Sequence, residues 1–183
     1  MSNFAGRCLA ALFVLSAAFF VTCPANARHW NPTGKALAED YLEIIDTQQE
    51  GRVVFLFWMA PPFIGNSGDA TALLDKYVII GVTVGHLRST GLVFDPIEVP
   101  PVTDEAGTLL KAVPDEKLDA STSALLFTMK GMMKQAIGAM GEGIRFFVFE
   151  SGNVHACSKG RLSVPVDNVI YTYDTPVPGC PAK

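Results

Sequence analysis

The stretch IRFFVFESGNVHACSKGRLSVPVDNVIYTY, Ile144 to Tyr173, decides the fold class. Aromatic and β-branched residues fill four short runs in it: Ile144 to Glu150, Val154 to Ser158, Arg161 to Val166 and Asn168 to Tyr173. That composition favours strands. Ser151-Gly152-Asn153 reads as a hairpin turn between the first two. Parallel neighbours would need crossovers of roughly a dozen residues or more, and no gap here is that long. The segment predicts strands that pair antiparallel.

Upstream the same signs recur. Arg52 to Ala60 carries the unbroken apolar run Val53 to Trp58, which reads as a strand buried on both faces and stopped by Pro61-Pro62. Tyr77 to His86 is a second Val/Ile-rich strand, and Gly91 to Glu98 a third, ended by Pro100-Pro101. Helical spacing appears three times. Leu37, Tyr41, Ile44 and Ile45 predict a helix that starts near Asn31 and ends at Gly51. Asp69 to Lys76 suits two turns capped by Ser67 or Asp69. In Ser121 to Met140, the residues Leu125, Met129, Met132, Met133, Ala136, Ile137 and Met140 trace an apolar stripe. Ala124, Gly131 and Gly138 form a second, narrow line of small residues, suited to a close neighbour. Val102 to Ala120 holds acidic pairs and no sustained period, so it reads as a solvated connection with at most a short helix. The expected fold is an α+β domain, mainly an antiparallel β-sheet or β-sandwich of about six or seven strands with two or three helices.

The leading helix, the strand Val53 to Trp58 and the run Gly143 to Val154 also loosely resemble the corresponding parts of thioredoxin-fold proteins. That resemblance implies an alternative, a degenerate thioredoxin-like α/β fold. Where the family carries its cysteine pair, this chain has Met59-Ala60-Pro61-Pro62-Phe63, and Arg145 stands at the cis-proline position. The resemblance therefore implies no oxidoreductase activity.

The N-terminus reads as a secretory leader. Arg7 precedes an apolar stretch from Leu9 to Val21, too short for the roughly 20 residues of a spanning helix, and Ala25-Asn26-Ala27 is a small-residue cleavage signal. The expected division is a signal peptide over 1–27 and one globular domain over 28–183, in a periplasmic or secreted protein with no transmembrane segment in the mature chain. Phe20-Val21-Thr22-Cys23 departs from a lipoprotein acylation site at Phe20 and Thr22. Removing Arg7 takes the net charge from −4 to −5, and no basic run offers a footprint for nucleic acid. Cleavage leaves two cysteines, Cys157 and Cys180, which an oxidising compartment would bridge. Their spacing is unlike a redox Cys-x-x-Cys, so the bridge is expected to be structural, stapling the Pro-rich tail.

Motifs with fixed catalytic spacing are missing: no Gly-x-Ser-x-Gly, His-Glu-x-x-His, Gly-x-x-x-x-Gly-Lys or Ser-x-x-Lys occurs. Gly138 to Gly143 follows a helix and precedes a strand, so it reads as a helix stop rather than a phosphate cradle. Asp104-Glu105 and Asp115-Glu116 read as solvated carboxylates. No catalytic residue, metal site or cofactor is assigned. The reading is a binding or interaction domain, leaning away from catalysis, for a protein or small-molecule ligand. Its candidate surface is Met59, Pro61, Pro62, Phe63 and Ile64, an apolar loop stiffened by proline. Two alternatives stand beside it. Thioether ligands select Cu(I), so Met129, Met132, Met133 and Met140 with Met59 and a histidine would make a periplasmic copper-binding protein. His86 or His155 with a nucleophile would make a hydrolase.

Overall fold

A computed structural model describes residues 28–30, 51–60, 68–177 and 180. The expected leader, the 31–49 helix and most of the Met59–Ile64 loop lie outside these residues. The described elements run β1 (Arg28–Trp30), β2 (Arg52–Trp58), α1 (Gly68–Lys76), β3 (Tyr77–Arg88), β4 (Gly91–Phe94) and β5 (Ala112–Val113). A 3-10 turn (Asp115–Lys117) then leads to α2 (Ala120–Ile137), α3 (Ala139–Glu142), β6 (Arg145–Glu150), β7 (Gly160–Val166) and β8 (Val169–Thr175). The chain is mixed α+β, and its strand pairs are antiparallel except for β1 against β8.

Twelve-residue β3 is the spine of a five-stranded sheet ordered β2-β3-β6-β5. Residues Tyr77 to Val82 pair with β6, and Gly85 to Arg88 pair with β4 along the same edge. Because side chains alternate across a strand, β2 and β3 feed two cores. Val54, Leu56, Trp58, Val78, Ile80, Val82 and Val84 join Leu162, Val164, Tyr171 and Tyr173 of the three-stranded sheet β1-β8-β7 in one buried cluster. On the opposite face Phe55, Phe57, Met59, Tyr77 and Ile79 pack with Leu74 of α1 and Met129 and Met133 of α2. The unbroken apolar runs of β2 and β3 follow from this placement between two covers. At one end buried Arg52 forms an ion pair with Asp167, which sits in the two-residue β7–β8 turn with φ 52°.

Four expectations need correction. The strand predicted over Gly91–Glu98 stops at Phe94. Asp95 N–H makes the next bond, to Val84 O at 2.8 Å, and Pro96 has no N–H to continue the ladder. Val154–Ser158 is not a strand. After the Ser151-Gly152-Asn153 turn the chain passes between the sheets, burying Val154 and Ala156 in the shared core. The 102–120 connection is more ordered than its composition suggested. Val102 is wholly buried, Thr103 bridges to Ser163 of β7, and Ala112–Val113 pairs with Phe149 and Val148 of β6. Finally, the α2 stripe is narrower than predicted. Met129 and Met133 are buried, while Met132 is 55% exposed and Ala136 is also at the surface. Neighbours on a helix point about 100° apart, so a narrow contact hides only one of Met132 and Met133.

Glycine packing differs too. Gly131 and Gly138 face open space, and Gly138 (φ 58°) ends α2. Just after α2, close approaches occur instead at Gly141, where a Cβ would stand 2.1 Å from Met133 O, and at Gly143, where it would strike the Phe94 ring at 2.4 Å.

Candidate functional site

A polar cleft of about 250 Å³ lies where two turns meet at the start of β7. Its floor is Gly160, paired with buried Thr175 of β8. One wall is the turn after Thr103. Asp104 Oδ1 accepts hydrogen bonds from Ala106 N–H at 2.9 Å and Thr108 N–H at 2.8 Å, and Gly107, at φ 79°, donates to Asp104 O. Asp104 Oδ1 thus shapes its own turn, as aspartate side chains often do. Glu105, at the corner, reaches the cleft floor: its Oε2 lies 3.9 Å from where a Cβ on Gly160 would be.

The other wall is the segment from His155 to Lys159. Ala156 O accepts from Val177 N–H at 2.8 Å, Ser158 N–H donates to His155 O at 3.1 Å, and Cys157 is bonded to Cys180 with Cα atoms 5.4 Å apart. The predicted disulfide is therefore present, and it staples the tail onto this wall. His155 and Lys159 stand exposed above it. Arg161 closes the cleft from β7, but its Nε donates to Asp174 Oδ1 at 2.8 Å. Asp174, with a smaller contribution from Glu105, holds the guanidinium above its ordinary pKa. Among the described residues, neither Glu105 nor Lys159 forms an ion pair.

Other sequence candidates are placed as follows. Met59 is wholly buried in the helix-side core. Pro61, Pro62, Phe63 and Ile64 lie outside the described residues. His86 Nε2 meets Asp95 Oδ2 at 3.0 Å, whereas His155 belongs to the cleft, and the two are on no common strand pair. Met59, Met129 and Met133 converge in one cluster with Met140 packed against it. Among the described residues, no three His, Cys, Asp or Glu side chains gather as metal ligands, and no helix is long and apolar enough to cross a membrane. A shallower groove of about 320 Å³ runs between α2 and β6 past Leu126, Phe127 and Phe146.

Sequence reasoning placed Asp104 and Glu105 on a solvated face and did not single out Lys159, Gly160 or Arg161. The available signal was Asp104-x-x-Gly107, a side-chain-capped turn that fixes Glu105 at its corner. No known protein family matches this chain, and no curated protein or solved structure is similar to it.

Proposed function

We propose that this is an exported, non-catalytic binding domain that holds a small polar ligand in the cleft between Glu105 and Lys159. The observation that carries the reading is a pair of opposite charges, each without an ion-pair partner, on two turns that are independently braced. Preorganised polar groups in a concave site give orientation and specificity at low entropic cost. Export is supported by the leader pattern and the disulfide. The core shared by the two sheets and the antiparallel β2–β3 pair favour a β-sandwich with helices on its outer face over a thioredoxin-like fold. In this reading the Pro61–Ile64 loop is a second contact surface, rooted by Met59.

The test is ligand-observed NMR with small sugars, organic acids and amino acids, repeated on Gly160→Leu. Gly160 lies in ordinary strand backbone, and a Cβ there would meet Thr175 Oγ1 at 3.4 Å and nothing nearer, so the leucine enters the cleft without strain. Saturable binding that Gly160→Leu abolishes is expected. Binding that survives this variant, or none across the panel, overturns the reading.

Copper binding is the second reading, favoured only by the convergence of Met59, Met129 and Met133. The surrounding Phe55, Phe57, Leu74 and Ile79 make the same cluster an ordinary core, in which methionine fills irregular gaps.

A further inference from the structure

We propose that the ligand of this cleft is a small zwitterion, its cationic end at Glu105 and its anionic end at Lys159, with His155 beside it; the inference rests on the cleft being the binding site. Charge accounting leads there. Six groups line or border the cleft: Asp104, Glu105, His155, Lys159, Arg161 and Asp174. Asp104 Oδ1 accepts from two backbone N–H groups of its own turn, and Arg161 pairs with Asp174. Glu105 and Lys159, carried on two different turns, have neither an ion pair nor a hydrogen bond of this kind among the described residues.

The two do not close on each other. The turns that carry them are braced: Thr103 is bridged to Ser163 of β7, and the segment carrying Lys159 is held by the disulfide and by Val177 N–H on Ala156 O. A ligand with one charge would satisfy one wall and be repelled by the other. A neutral polyol would leave both ions unpaired. A molecule with both charges can meet both. The volume of about 250 Å³ is below the usual range for drug-sized ligands, which limits the occupant to a short chain.

The experiment titrates the full mature chain with β-alanine, γ-aminobutyrate and ε-aminocaproate, with butyrate and butylamine as singly charged controls, following amide shifts at Glu105, His155 and Lys159. One zwitterion of the series should bind about tenfold or more tighter than either control, since a charge-assisted contact is worth that factor. Glu105→Gln should reduce that affinity about tenfold while leaving butyrate unchanged or improved, and Lys159→Gln should do the converse with butylamine. Both positions are exposed, so the melting temperature should not move. If butyrate or butylamine binds as tightly as every zwitterion, the zwitterion proposal is overturned while the cleft remains a site. The same holds if only a neutral sugar binds and Gly160→Leu abolishes it. Silence at these amides with every probe overturns both readings.

Discussion

Gly81→Ala tests the helix-side core most directly. Gly81 sits at the middle of β3, opposite Phe57 of β2 and Phe146 of β6, and the two rings approach over it at 5.9 Å in an edge-on pair. A Cβ at Gly81 would lie 2.2 Å from Phe57 Cε1 and 2.8 Å from its Cδ1 and Cζ. Carbon atoms rest at about 3.5 to 4.0 Å, so the ring must retreat by more than about 1 Å. Phe57 is 1% exposed and packed beside Phe55 at 5.6 Å, which leaves it no empty direction. Overpacking costs roughly 1–3 kcal/mol, and spoiling the aromatic pair adds about 0.5–1.5 kcal/mol. Removing a glycine from the unfolded chain offsets about 0.4–1 kcal/mol. The expected net loss is about 2–3 kcal/mol, read as a lowered urea midpoint at unchanged m value. Phe57→Leu should relieve much of it, with a coupling of at least about 1 kcal/mol in the double-mutant cycle. Gly131→Ala is the control: it faces open space on α2, so it should stabilise by roughly 0.5–1 kcal/mol. A Gly81→Ala protein as stable as wild type would refute the packing described for this face.

Three further outcomes follow from the same geometry. The disulfide spans a sequence separation of 23, and replacing both cysteines by serine should lower stability by about 3–4 kcal/mol on the chain-entropy account; a loss below about 1 kcal/mol in guanidinium titrations would contradict it. Met133→Ala should cost about 2–5 kcal/mol and Met132→Ala less than about 0.5 kcal/mol, because only Met133 is buried. Met133→Leu should be nearly neutral at about 1 kcal/mol or less, and tight Cu(I) binding by wild type that this variant abolishes would promote the copper reading. At the start of α2, Asp119 accepts from Thr122 N–H at 2.8 Å and meets Lys76 at 3.3 Å. The Thr122 backbone N–H, then the Thr122 side chain and Lys76, hold this carboxyl below its ordinary pKa. Since the folded value is the depressed one, its stabilisation is present above about pH 4 and lost as pH falls through the lowered value. The melting-temperature gap between wild type and Asp119→Ala should therefore shrink on acidification, and a gap constant with pH would count against the cap.

Local residue chemistry determined a good deal of this protein before any contact was known. The apolar run at Val53–Trp58 announced a buried strand, because a solvated strand does not tolerate so many consecutive apolar residues, and Tyr77–His86 announced a second by its Val/Ile content. The Asp69–Lys76 helix, the α2 segment and the Cys157–Cys180 pairing were legible for similarly local reasons of spacing and composition. Tertiary structure decided what depends on partners distant in the chain. Val154–Ser158 has strand composition but no neighbouring strand to pair with, so it became the crossing between sheets. Val102 and Leu110 show no periodicity, yet each is buried because Thr103 lies against Ser163. Met132 and Met133 are equally apolar, and only the width of the contact with β2 and β3 separates them. The cleft was illegible for the same reason. Glu105 and Lys159 are ordinary surface charges in sequence, and they face one cleft only because a bridge between Thr103 and Ser163 brings two turns together across the start of β7.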